Sequence, residues 1–175
     1  IILGCINCCL FDIGSVLKGG FEMSNVEYTE PKTVLSALQV IGDITLVATA
    51  QQFGGFTLPE LDKVLLPYVL KSEAAALEKF RQMGVADAVA REFAVKETVR
   101  ELEQGFQSLE LKLNTVPCSR GDFAFTTITF GQWKPENYTA AEREWLSTIS
   151  RTMLRVRKKG HGRHGKPVVF PKLVY

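Results

Sequence analysis

The sequence predicts an α/β fold built on a parallel sheet, and three observations carry that expectation. The stretch Ile1–Asp12 is apolar on both of its alternating faces, as are the later runs FAFTTITF (123–130) and VVFPKLVY (168–175). Strands apolar on both faces belong to parallel sheets and barrels, which are covered on each side. Between these runs lie long segments with apolar residues every three or four positions, the period of an amphipathic helix. The resulting order is strand, helices, strand, helix, strand, with the first strand expected inside the sheet beside both later ones and its Cys8 directed at a concave face.

Each element follows from local chemistry. In Ile1–Asp12, the residues Ile1, Ile2, Leu3, Ile6, Leu10 and Phe11 supply the strand, and Asp12-Ile13-Gly14 ends it. Residues 14–32 hold glycines, a proline and scattered charges without sustained period, which reads as a crossover loop. A helix is expected from Pro31, capped by Thr29 or Glu30, through Val34, Leu35, Leu38, Ile41, Leu46 and Val47 to about Gln52. It is rich in small residues and poor in charge, so it should pack against another long helix or a second subunit. Thr57-Leu58-Pro59-Glu60 matches a capping box opening a further helix, which Pro67 should kink or restart and Gly84 should end. From Ala86 to about Asn114, Val89, Phe93, Val95, Val99, Leu102, Phe106, Leu109 and Leu113 mark a long amphipathic helix with Glu and Lys on its far side. Pro117 breaks it, and Cys118–Asp122 turns into the second strand, where Thr126 and Thr127 face opposite ways. A last helix is capped by Thr139 with Glu142 and runs through Trp145, Leu146, Ile149 and Met153.

The first strand carries three of the four cysteines and an amide, Asn7. A disulfide framework is not expected, because 175 residues with 46% hydrophobic content can build a core unaided. Cys5-x-x-Cys8 has zinc spacing, but a zinc knuckle needs a turn where Ile6-Asn7 is strand-like, so no metal site is assigned. Cysteine as a small buried apolar residue remains the plain alternative. Asn7 raises Cys8 above it, since an amide within an apolar strand needs partners, which a substrate's hydroxyls or phosphates could provide. Strict alternation would put Asn7 and Cys8 on opposite faces, so a shared site requires a twist, a bulge or the strand end.

Net charge is +2, too small to argue for nucleic acid, and no apolar run reaches the ~18–20 residues of a membrane span. A reducing, cytoplasmic compartment is the expectation. The chain starts at Ile rather than Met and stops within a strand pattern, which reads as a piece of a longer protein. The stretch 151–166 holds seven Arg or Lys and both histidines. A phosphate or nucleic-acid patch competes there with a solvated helix C-terminus, whose dipole cations complement. His161 and His164 lack neighbouring carboxylates in sequence, and no metal or catalytic role is assigned to them.

Taken together, several stretches resemble the anaerobic (class III) ribonucleoside-triphosphate reductases: Asn7-Cys8 with Leu10-Phe11-Asp12, Gly20–Met23, Glu30-Pro31-Lys32, Phe53-Gly54-Gly55, Asp62–Leu65 with Pro67, Phe106–Glu110 with Asn114-Thr115, Phe125-Thr126-Thr127, and Val169–Val174. The resemblance implies one partial domain, residues 1–175, from the first half of a ten-stranded α/β barrel of the glycyl-radical enzyme type. It implies reduction of ribonucleoside triphosphates to deoxyribonucleotides, with the glycyl radical and the thiyl loop outside this chain. It further implies formate as reductant, ATP or deoxynucleoside triphosphate effectors, an iron–sulfur, S-adenosylmethionine-dependent activase, and a homodimer. In that likeness Cys8 is the catalytic thiol opposite the thiyl face of the ribose, Asn7 lines the substrate site, and Lys32 belongs to the effector site.

Departures from the family pattern are GQWKPENYTAAERE in place of a glycine-rich loop, the extra thiol Cys9, and Asp43 and Ala75 where relatives carry glutamine and lysine. A glycyl-radical relative with other chemistry, or a non-catalytic nucleotide-binding or scaffold piece, are the alternatives.

Overall fold

A computed structural model describes residues 8–23, 25–51, 54–117 and 121–175. The expected strand positions Ile1–Asn7 and the thiol of Cys118 lie outside the described residues. Strand β1 (Cys9–Leu10) leads into α1 (Ile13–Gly19), a hairpin of β2 (Phe21–Met23) and β3 (Val26–Tyr28), and α2 (Val34–Thr49). Then come β4 (Phe56–Leu58), α3 (Leu61–Gln82), α4 (Asp87–Thr115), β5 (Thr126–Thr129), α5 (Ala140–Lys159) and β6 (Lys172–Val174).

The sheet is parallel, and β1, β4, β5 and β6 lie side by side in sequence order. Two expectations are corrected. Leu58 and its neighbours form a strand, not the start of a helix: Phe56-Thr57-Leu58 alternates buried, half-buried, buried and pairs with both β1 and β5. Consequently β1 adjoins β4 alone among the described residues, rather than lying beside both β5 and β6. The capping role assigned to Thr57 disappears, and α3 instead follows Glu60, held in the left-handed region at φ 52°. The backbone N–H of Glu60 donates to Thr129 Oγ1 at 2.8 Å, which fixes this turn to the end of β5.

The segment read as a crossover loop also contains structure. Asp12 caps α1 by accepting from Ser15 N at 3.1 Å and Ser15 Oγ at 2.6 Å. These bonds to its charged form hold the Asp12 carboxyl below its ordinary pKa. The cap of α2 is Thr33, not Thr29 or Glu30 as expected, and Val34 N donates to the buried Ser72 Oγ of α3 at 2.9 Å. That hydroxyl donates in turn to Glu101 of α4 at 2.8 Å, so one serine ties three helices together. Pro67 is accommodated inside a single α3. The predicted box of Thr139 with Glu142 is present at the start of α5.

One core unites the helices with one face of the sheet, through Phe56, Leu58, Ala124, Ile128 and Phe130 from the sheet side. Leu38, Ile41, Leu65, Val69, Leu102, Phe106, Leu109, Leu146 and Ile149 meet them. The small-residue face of α2 packs on α4, the long-helix version of the expectation. A Cβ at Gly105 would lie 2.5 Å from Leu38 Cδ1, so these two helices approach closely because a side chain is missing there.

The candidate site on the open face of the sheet

Only one face of the parallel sheet is covered by the described residues, where the sequence reading expected both to be. Alternation sends Phe56, Thr126 and Ile128 into the core, and sends Leu10, Thr57, Thr127 and Lys172, aligned across the four strands, to the other side. Leu10 is 77% exposed and Val174 45%, although both are apolar. A parallel sheet with a bare apolar face is rare in a finished protein, since its strands are patterned for burial on both sides.

Cys8 lies on this open face, just before β1, and is exposed. Its position follows from the strand: Cys9 N donates to Gly55 O at 3.0 Å, which aligns Cys8 with Gly55. A Cβ at Gly55 would sit 3.8 Å from Cys8 Sγ and 3.3 Å from the Phe125 ring, so the glycine leaves room for both. Phe125 meets Phe170 edge-on, with centroids 5.1 Å apart. The ammonium of Lys172 lies over the Phe125 ring at 4.6 Å, a favourable cation–π distance. Thus Cys8, Gly55, Phe125, Phe170 and Lys172, from four separate stretches, form one contiguous surface. Asn7 lies outside the described residues. Among the described residues Cys8 forms no disulfide.

The far side of this surface is pinned from α4. Asn114 Nδ2 donates to Phe170 O at 2.6 Å, and Asn114 Oδ1 accepts from Phe170 N at 3.3 Å, so the amide grips that residue's backbone as a neighbouring strand would. One turn earlier, the carboxylate of Glu110, 3% exposed, accepts from Arg157 Nε at 2.7 Å and meets His161 Nε2 at 2.9 Å. Arg157 also donates to Pro171 O at 2.7 Å. This corrects the reading of His161 as lacking a carboxylate: its partner is 51 residues away in sequence. A cleft of about 470 Å³ separates the end of α4 from the 161–169 segment.

Lys32 is exposed ahead of the Thr33 cap, and no described residue pairs with it. Asp43 pairs with Lys112 at 2.6 Å, and Ala75 is exposed, so neither brings a second cation to Lys32. Close in sequence, Glu30 meets Lys71 at 2.9 Å, and this bond holds its pKa below the ordinary value. Burial, and after it the charge of Glu30, pushes Tyr68 up to about 12. An apolar groove of about 280 Å³ runs between Phe11, Phe21, Ile44 and Val47. No cluster of metal-ligating side chains occurs among the described residues, and no described helix is long and apolar enough to cross a membrane.

Comparison with known proteins places these features. A family model described as anaerobic ribonucleoside-triphosphate reductase matches residues 2–175. The enzyme of that name from Enterobacteria phage T4 is 35% identical over 169 residues, covering 96% of this chain and 26% of the relative. Its Escherichia coli counterpart is 33% identical over 170 residues, covering 97% and 22%. The chain therefore spans about a quarter of the length of the curated relatives it matches. Among solved structures, the anaerobic ribonucleotide reductase from Thermotoga maritima with dATP bound in the specificity site aligns with a TM-score of 0.62 at 17% identity, over 95% of this chain and 28% of that one. The same enzyme in complex with dATP and CTP gives 0.60 at 16% identity, over 87% and 25%. At such identities the likeness shows the α/β fold.

Proposed function

The chain belongs to the anaerobic ribonucleoside-triphosphate reductase family, and from that premise we propose that it is part of the catalytic barrel of a longer oxidoreductase. On this reading the open face of the sheet is the inner wall of a ten-stranded barrel, completed by chain outside the described residues. The complete protein reduces ribonucleoside triphosphates to 2'-deoxyribonucleotides. The observation that carries the reading is the exposed Cys8 thiol, set on that face beside Gly55 and Phe125 in a segment that matches the family throughout.

A glycyl radical elsewhere in the complete chain would supply the oxidising chemistry, with formate as the reductant the family likeness implies. This chain's share is a hydrogen donor and a surface. The Cys8 S–H is weak enough to give up hydrogen to a radical intermediate of the sugar, formate then restoring hydrogen to the sulfur, whereas an alcohol's O–H is not. Gly55 leaves the space a sugar would need, and Asn7, outside the described residues, would hold the sugar's hydroxyls. Lys32 would serve an effector nucleotide. The charge-poor outer face of α2, whose one carboxylate, Asp43, is paired with Lys112, and the groove at Val47 support a homodimer, and activation would require the iron–sulfur, S-adenosylmethionine-dependent partner.

Substitution in the complete, activated enzyme tests this. Cys8→Ser is expected to abolish deoxynucleotide formation while leaving the radical signal and nucleotide binding intact, because volume is nearly kept. Cys9→Ser, whose side chain points away from the open face, should retain activity. Full turnover in Cys8→Ser would overturn the assignment and leave the thiol a structural role.

A further inference from the structure

Across the open face, Thr57, Thr127 and Lys172 occupy one aligned row on β4, β5 and β6. Adjacent strands stand roughly 4.8 Å apart, so the row spans about 10 Å from the threonine beside β1 to the lysine. The two hydroxyls are half-buried, and among the described residues neither has a hydrogen-bond partner. Lys172 has no carboxylate partner among the described residues either; its ammonium rests on the Phe125 ring, which orients it without neutralising it. Hydroxyls and an ammonium in a line, unpaired on a face patterned for burial, call for oxyanions of matching spacing. Lysine suits phosphate as a compact point charge, and each hydroxyl can donate to a phosphoryl oxygen.

We infer that the Thr57–Thr127–Lys172 row holds the polyphosphate tail of the nucleotide whose sugar faces Cys8. The inference rests on the reductase reading above and deepens it. The row begins on β4, the strand adjoining β1, and Gly55 and Phe125 connect Cys8 to Lys172. One extended ligand can therefore touch thiol and ammonium together. Lys172 discriminates by the phosphate, not by the base.

The test uses the complete protein without activation, with CTP and unphosphorylated cytidine as probes in equilibrium dialysis. Lys172→Met should weaken CTP binding roughly 10- to 100-fold, the loss expected of one charge-assisted bond. Cytidine binding should stay unchanged, and Lys172→Arg should retain most of the CTP affinity. The paired substitution Thr57→Val and Thr127→Val keeps the shape, should also weaken CTP alone, and decides the matter if Lys172→Met fails to fold. Inorganic triphosphate should compete with CTP in the wild type, and far less in Lys172→Met. Undiminished CTP affinity in these variants, or equal losses for CTP and cytidine, would overturn the row. If the row fails while Cys8→Ser is inactive, the reductase reading stands without it; if the wild type binds no CTP and, once activated, forms no deoxynucleotide, both fall.

Discussion

The crossing of α2 and α4 allows the same substitution to be set against itself at two glycines, Gly42 on α2 and Gly105 on α4, each turned toward the other helix. Replacing a helical glycine by alanine favours the helix by about 1 kcal/mol. At Gly105 the new Cβ would meet Leu38 Cδ1 at 2.5 Å and Leu38 Cβ at 3.2 Å, and Leu38 is fully buried with nowhere to retreat. Overpacking of this kind costs about 1–3 kcal/mol, so Gly105→Ala should destabilise by about 1 kcal/mol net. At Gly42 the closest atom is Lys112 Cδ at 2.9 Å, on a flexible stem, with Leu109 Cδ1 at an ordinary 3.4 Å. Moving that stem disturbs the Lys112–Asp43 pair, which at a partly exposed site is worth about 0–1 kcal/mol, and a long 3.4 Å donation from the same ammonium to Gln39 O. Gly42→Ala should therefore be neutral or stabilising. Amide hydrogen exchange across α2 and α4 in the complete protein reads both changes locally, and Leu38→Ala combined with Gly105→Ala should show coupling that relieves the clash. Greater protection in Gly105→Ala than in wild type would refute the reasoning, since Leu38 would then have yielded freely.

Two further outcomes follow from buried carboxylates. Glu110→Gln keeps the volume but leaves Arg157 without its charged partner; breaking a buried pair costs about 3–5 kcal/mol, reduced here to about 2–4 by the partial exposure of Arg157. Hydrogen exchange should then rise across residues 157–173, and unchanged exchange would mean that the pair is incidental. Burial raises the Asp62 pKa despite bonds from Gly131 N at 2.8 Å and Lys63 N at 3.0 Å. The folded state thus binds this proton more tightly than the unfolded chain. The resulting stabilisation is complete below the unfolded value near 3.8 and fades as pH rises through the folded one. Asp62→Asn should show a flatter pH dependence of stability above pH 4, and identical slopes would show that this carboxyl does not titrate differently on folding.

Long periodic elements were legible in the sequence: α4 and α5 lie where their apolar spacing and the Thr139–Glu142 box put them. Short elements were not. At Phe56–Leu58 two local signals compete, a Thr-x-x-Glu cap and a three-residue alternation, and pairing on both sides decides for the strand. Such pairing is a tertiary effect that no window of sequence contains. The α1 helix has only seven residues, and the hairpin strands three each, too few for a period to show. Leu10, Phe125 and Val174 are apolar yet exposed, so their sequence records a burial that the described residues do not supply. At the site, Cys8 could be singled out from its strand, but Gly55, Phe125 and Lys172 enter only through register. The Glu110–His161 contact spans 51 residues and leaves no local trace.

Glu110 and Asn114, one turn apart on α4, fasten the two ends of the segment from His161 to Phe170. What lies between is exposed along most of its length. The wall strand β6 is thereby mechanically decoupled from the loop that leads to it, because force or added length in the loop is grounded on α4 before it reaches Lys172. Residues 162–165 are accordingly the natural place for a reporter dye or an affinity handle, and lineages are free to lengthen or recharge that stretch while the wall it borders stays in register.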